Sequence, residues 1–254
     1  MNWMPSRFTH PLSDDFCTDG DRLIKLVEMA WVSPENPDGI KLDEWQKWLI
    51  RAMLERYPED HPDPHKAGRL RYRQVVVSLG RQNGKSVLGA ILALYGLLLH
   101  EQGPQVMSIA SNTDQARIIY NRVLYVVQNN PSLDKRFKKA TEMRGIVTRD
   151  GGGRYDVKPA KEAALQGIPV SLVLFDELHL AKEGMWTACV LGTKTRNDGI
   201  VIGITTAGDD SSSTLKELYE FGQKAIDGNE DLERFGFFCW EAPQHAAVDD
   251  PEAV

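Results

Sequence analysis

Little in this 254-residue chain points to disulfides, to a membrane or to zinc. Its cysteines are only Cys17, Cys189 and Cys239, an odd and widely spaced set that excludes a disulfide framework and reads as reduced, buried thiols. The longest apolar run, Val87 to Leu99, is too short for a bilayer, which takes about 20 residues, and no charged stretch followed by an apolar one opens the chain. No membrane association and a cytoplasmic setting are therefore expected. The six histidines lack zinc spacing, and His61 and His65 lie in PEDHPDPH, a loop composition. Repeats and low-complexity tracts are missing as well. A formal net charge of −6 excludes a protein that coats nucleic acid over its whole surface. Local contact stays open: Arg69, Arg71 and Arg73 alternate and would share a face on a strand, while Lys135, Arg136, Lys138 and Lys139 cluster after a helix that Pro131 terminates. Either patch also reads as a solvated face.

A 42% hydrophobic content can bury one sizeable core. The stretch VVVSLGRQNGKSVLGAILAL, Val75 to Leu94, runs from a β-branched strand through a polar loop into an apolar helix. A phosphate loop, G-x-x-x-x-G-K-[ST], needs a tight turn with inward amides, a lysine for the outer phosphates and a hydroxyl for the metal. Gly84, Lys85 and Ser86 supply its second half; Leu79 stands where the first glycine belongs, with Gly80 one position late. A bare G-K-S occurs by chance, but here a buried strand precedes it and a helix N-terminus would face the anion. Phosphoryl transfer also needs a metal-binding carboxylate and a group that activates water. SLVLFDELHL offers both: a strand, Ser171 to Phe175, ends in Asp176 for the magnesium and Glu177 as general base. A pair of solvated carboxylates closing a strand is the bland alternative.

Around these motifs strands and helices alternate, which predicts a parallel sheet. Residues 1–20 read as an irregular arm, Asp21 to Trp31 as a helix, and KLDEWQKWLIRAMLERY as a second helix with Leu42, Trp45, Leu49, Ala52 and Met53 on one face. Gln46, near its start, carries the donor and acceptor that an adenine edge requires, though a surface glutamine is equally compatible. PQVMSIA reads as a strand, SNTDQARIIYNRVLYVVQNNP as a helix, and MRGIVTRDGGGRYDVKP as a hairpin with a loose turn. Further on, Glu183 to Leu191 reads as a helix, GIVIGITTAG as a core strand, Ser213 to Ile226 as a helix capped by Ser212 or Ser213, and Phe235 to Trp240 as a last strand. The expected fold is α/β: a P-loop NTPase of the additional-strand, catalytic-glutamate (RecA-like) type, its mainly parallel sheet flanked by helices. Residues 1–60 read as an N-terminal helical arm carrying a glutamine able to read adenine, 61–242 as the P-loop core and 243–254 as a linker.

Four stretches in order, DEWQKW, SLGRQNGKS, VLFDELH and GITTAGDD, resemble the ATPase domain of a tailed-phage terminase large subunit, the genome-packaging motor. The resemblance covers most of residues 42–208. It implies ATP and Mg2+, with nucleotide binding by Gln46 and by Arg81, Gln82, Asn83, Gly84, Lys85 and Ser86 of the loop. Glu177, Arg81 and Lys85 would be catalytic, Ser86 and Asp176 would hold the metal, and Thr205, Thr206 and Ala207 would couple the γ-phosphate to a shifting segment. Strand-end β propensity alone would also explain those threonines. Implied partners are double-stranded viral DNA, the portal and the small terminase subunit. A homo-oligomeric ring, a pentamer, would act at the procapsid in the host cytoplasm, while the isolated chain would be a monomer.

Two features depart from the family pattern. Some members carry an arginine, acting on the neighbouring subunit, where AALQG here has Gln166; Arg144, Arg149 and Arg154 are the candidates to replace it. The family protein also continues into a nuclease, so DNA cleavage is not expected of these residues. Two rival readings are a helicase-like remodeller, because DELH resembles a D-E-x-H box, and a nucleotide-gated interaction module that binds ATP without turnover.

Overall fold

The computed structural model describes residues 3–110, 113–141, 145–159, 169–206 and 212–241. Their organising element is β2 (Gln74–Ser78), in which Val75, Val76 and Val77 are fully buried. β-branched side chains favour this pleated setting, and burying each contributes roughly 1.5–3 kcal/mol. On one side β2 pairs in parallel with β8 (Ile200–Thr205), aligning Val77 with Ile204 and Ser78 with Thr205; on the other it pairs in parallel with β9 (Phe235–Cys239). β8 pairs in parallel with β7 (Leu172–Asp176), and β7 with β3 (Gln105–Ala110). Beyond β3 come β6 (Arg154–Pro159), β5 (Gly145–Thr148) and β4 (Phe137–Thr141), of which β5 runs antiparallel to both neighbours. At the opposite edge β1 (Arg7–Phe8) runs antiparallel to β9. The order β1-β9-β2-β8-β7-β3-β6-β5-β4 therefore places one strand, β8, between the phosphate-loop strand and the strand ending in Asp176.

Alternation along the strands divides the core. Val75, Val77, Leu172, Leu174, Ile202 and Ile204 face α1 (Gly20–Ala30), α2 (Glu44–Met53), α3 (Lys85–Tyr95) and α4 (Thr113–Asn129). Val76, Val173, Phe175 and Val201 face the helices that follow β7 and β8, α6 (Met185–Thr193) and α7 (Ser213–Ile226). The short α5 (Pro131–Asp134) begins at the proline expected to end α4, and Asn130 caps it by accepting from the Ser132 and Leu133 N–H groups.

Several expectations need correcting. The arm 1–20 is not wholly irregular, since Arg7 and Phe8 join the sheet. The run from Val87 stops as an α-helix at Tyr95 and continues as one π-helical turn, Gly96–His100. The basic cluster after Pro131 extends into β4, whose Phe137 is buried, and the expected hairpin gains this third strand. Arg69, Arg71 and Arg73 do not lie on a strand; Arg71 is buried 2.6 Å from Glu55, and Arg73 donates to the carbonyls of Thr193, Arg196 and Asn197. Arg71 and Arg73 are structural ties, so the three do not form one exposed basic face. The helix read from Glu183 starts at Met185, and Ser212 precedes α7 without a side-chain capping bond, its buried Oγ unpartnered among the described residues.

Candidate active site

The carboxyl ends of β2, β7 and β8 meet at one edge of the sheet, where parallel α/β folds bind ligands. β2 leads into a solvent-facing loop whose turn uses left-handed backbone at Gln82 (φ 66°) and Gly84 (φ 70°). Gly84 then stands immediately before α3, and its carbonyl accepts from the Val87 and Leu88 N–H groups. A glycine suits that left-handed position, and the first amides of α3 remain for an anion. Lys85 Nζ bends back to donate to the Gly80 carbonyl at 3.2 Å. The irregular first half of the motif thus still closes a lysine-bearing loop.

At the end of β7 the chain turns sharply. Glu177 adopts φ 53°, ψ 50°, left-handed backbone that is uncommon for a residue with a side chain. This sends Leu178 into the core, against the face of β8 that Gly203 leaves open; a Cβ at residue 203 would sit 2.6 Å from Leu178 Cδ2 and 2.9 Å from Trp186. Asp176 stays buried, and its Oδ1 accepts from the Glu177 N–H at 3.0 Å. Burial, reinforced by the neighbouring Glu177 charge, pushes the Asp176 carboxyl up to about 6 against the opposing pull of that N–H and of Lys85. A buried, reluctantly ionised carboxylate is prepared to gain from a cation.

Thr205 joins the two motifs. Its carbonyl accepts from the Leu79 N–H at 3.0 Å, and its buried hydroxyl accepts from the His179 N–H at 3.2 Å while donating to the Thr206 carbonyl at 2.7 Å. His179 Nδ1 lies 3.1 Å from that hydroxyl and 3.2 Å from Glu177 Oε2. Because the threonine proton is used on Thr206 and an ionised carboxylate can only accept, Nδ1 must carry the hydrogen. Sequence reasoning valued DELH for its carboxylates; the histidine ties Glu177 to β8.

A cavity of about 490 Å³ lies over these groups, lined by Arg81, Gln82, Gly84, Lys85, Ser86, Glu177, His179 and Thr206, with Gln115 and Arg122 contributed by α4. The structure thus gathers most of the expected site residues. Gln46 stands beside the loop, its Nε2 3.9 Å from the Cβ position of Gly84, but it does not line the cavity, and its Oε1 already accepts from the Asp43 N–H at 2.9 Å. Asn83 lies in the loop without lining the cavity. Ala207, Arg144 and Gln166 lie outside the described residues. Arg149 is engaged with the Lys135 and Phe137 carbonyls, and Arg154 with Asp156. Gln115 and Arg122 were missed in the sequence; their seven-residue spacing on one helix face was the available signal.

The family described as terminase large subunit, ATPase domain, matches residues 65–224. This chain belongs to that family. Over 165 residues it is 27% identical to the terminase large subunit of Enterobacteria phage HK97, covering 63% of this chain and 30% of that protein. Among solved structures it resembles the HK97 large terminase (TM-score 0.75, 21% identity, 93% of this chain and 47% of the other). It also resembles the ATPase domain of the Thermus phage P74-26 large terminase (TM-score 0.51, 21% identity, 67% and 77%). The chain therefore spans less than half of either HK97 chain. The matched terminase segment runs from just before β2 to near the end of α7, so it holds the loop, Asp176, Glu177 and Thr205 but leaves α1, α2 and Gln46 outside. Among the described residues no helix is long and apolar enough to cross a membrane.

Proposed function

We propose that this chain is the ATP-hydrolysing motor unit of a viral packaging machine, driving double-stranded DNA into a procapsid. One observation carries the reading: Thr205 is bonded both to the first residue after β2 and to the turn that presents Glu177. A change at the phosphates can thereby reach a core strand.

The phosphates of ATP lie against the loop amides and the start of α3, with Lys85 exchanging its Gly80 carbonyl for the outer phosphates and Arg81 adding a second charge. Ser86 and Asp176 offer hard oxygen donors, and among the described residues no three His, Cys, Asp or Glu side chains converge as a metal cage. That donor set fits Mg2+, which keeps waters and takes further ligands from phosphates. When bound, Mg2+ neutralises charge developing on the transferred phosphoryl oxygens. Glu177, held by His179, orients and deprotonates the attacking water. Once phosphate leaves, the contacts of Thr205 and Thr206 are free to rearrange, and Ala207 follows them in sequence. Residues 1–60 serve as the arm that brings Gln46 to the base, and 61–242 as the motor core. Several copies act as a ring at the procapsid with the portal and the small subunit, and an arginine from a neighbour completes each site.

The test is ATP hydrolysis against protein concentration, with double-stranded or single-stranded DNA. A rate per subunit that rises with concentration and with duplex DNA supports an assembling packaging motor. A concentration-independent rate that only single strands stimulate would replace it with the helicase-like reading.

A further inference from the structure

The cavity carries a cation that no sequence motif includes. Arg122, on α4, lines it together with Lys85, Ser86, Gln115 and Glu177. Its Nη1 lies 3.2 Å from Glu35 Oε1, and its Nε is buried and hydrogen-bonds nothing among the described residues. A guanidinium has five N–H donors in a fork that matches phosphate, so this one is underused. The contact also differs from the ion pairs that hold the fold. Arg71–Glu55 is buried at 2.6 Å and Arg56–Asp19 largely buried at 2.7 Å, whereas the Glu35 side chain is 57% exposed. Exposed pairs of that kind are weak and readily exchanged.

Glu35 is supported without Arg122. It sits in a tight turn where Ser33 and Asn36 exchange backbone hydrogen bonds, and its carboxylate is held below its usual range first by its own backbone N–H, next by Ser33, and only then by Arg122. Losing the arginine leaves it solvated and ionised. Among the cavity-lining residues Arg81, Lys85 and Arg122 are cationic, and Glu177 is the single carboxylate. The ligand that balances this set is a polyanion. Lys85, resting on the Gly80 carbonyl, and Arg122, resting on Glu35, are both held in place by exchangeable acceptors at 3.2 Å.

We infer that Arg122 is a third phosphate-binding cation of the nucleotide site, beside Lys85 and Arg81, held on Glu35 when the site is empty and transferred to the terminal phosphate when a nucleoside triphosphate binds. This rests on the ATP reading above and adds to it a residue acting within the same chain. It makes the Ser33–Asn36 turn sensitive to the γ-phosphate, because that turn loses its cation on binding.

The test is equilibrium binding of ADP and of ATPγS with Mg2+ to the wild type, Arg122→Gln, Glu35→Gln, the double variant and, as a control, Lys85→Ala. Arg122→Gln should weaken ATPγS about tenfold, the scale of a lost charge-assisted hydrogen bond, and ADP far less. Glu35→Gln removes only the competing carboxylate, keeps its turn, and should tighten ATPγS about two- to threefold. That gain should vanish in the double variant. Equal weakening of ADP and ATPγS by Arg122→Gln would overturn the assignment to the terminal phosphate. Unchanged ATPγS binding in Arg122→Gln while Lys85→Ala loses it would overturn the inference alone. A wild type that binds neither nucleotide would overturn the ATP reading with it.

Discussion

Replacing Asp176 by asparagine should stabilise the protein while destroying its activity. The carboxyl is buried beside Glu177 and titrates at about 6 in the folded chain against 3.8 ordinarily. Below pH 3.8 both states are protonated and the group does not disfavour folding. Between pH 3.8 and about 6 the unfolded chain releases this proton while the folded one keeps it, so stability is progressively lost over that window and the loss is complete once pH has risen through about 6. At about 1.36 kcal/mol per pH unit the loss approaches roughly 3 kcal/mol by pH 8, and partial hydration reduces it to about 1–3. Asparagine is nearly isosteric, its Oδ1 can still accept the Glu177 N–H, and it has no charge to bury. For a chain of this size each kcal/mol is worth about 2–4 °C in Tm, so Asp176→Asn should melt roughly 2–12 °C higher at pH 8, with the gain shrinking toward zero near pH 4. Thermal melts of nucleotide-free protein across that range decide it. A variant no more stable at pH 8, or a gain that persists at pH 4, would refute the argument that burial and Glu177 raise this group.

Other perturbations test other links. Gly203→Ala forces a methyl into Leu178 and Trp186 and should cost about 1–3 kcal/mol in urea denaturation while lowering turnover through the Glu177 turn; an unchanged midpoint would show the close approach to be unimportant. Glu55→Ala strands the buried Arg71 and should destabilise by about 3–5 kcal/mol, most of it recovered when Arg71→Met is combined with Glu55→Leu. Thr205→Val keeps the strand's shape but removes the hydroxyl between the His179 N–H and the Thr206 carbonyl, so the turnover number should fall with ADP affinity preserved. Equal loss of both would mean that the hydroxyl only supports the fold.

How much of this was legible follows from what each residue depends on. The strand-loop-helix from Val75 to Leu94 and the run ending in Asp176 and Glu177 are local patterns, written in β-branched and apolar periodicity, and the structure places them together. Strand order is non-local: β8 follows β7 in sequence yet lies between it and β2, which no single segment announces. β4 was hidden because its lysines follow a solvated-face pattern while only Phe137 and neighbouring packing mark it as a strand. Arg71 and Arg73 misled for a related reason, since charged residues read as surface until a buried Glu55 or a ring of carbonyls appears opposite them. Arg122 and His179 became visible only when helix α4 and strand β8 were docked against the loop.

The most direct test of the account is steady-state ATP hydrolysis by the wild type and Glu177→Gln, with ATPγS affinity measured on the same samples. Glutamine retains the size and the hydrogen-bonding reach of the side chain but cannot take a proton. The account requires turnover to fall by about 10²–10⁴ with ATPγS affinity essentially unchanged. Hydrolysis that survives the substitution, or a wild type that binds ATPγS yet turns over no ATP, would contradict the assignment of Glu177 as general base of a working motor.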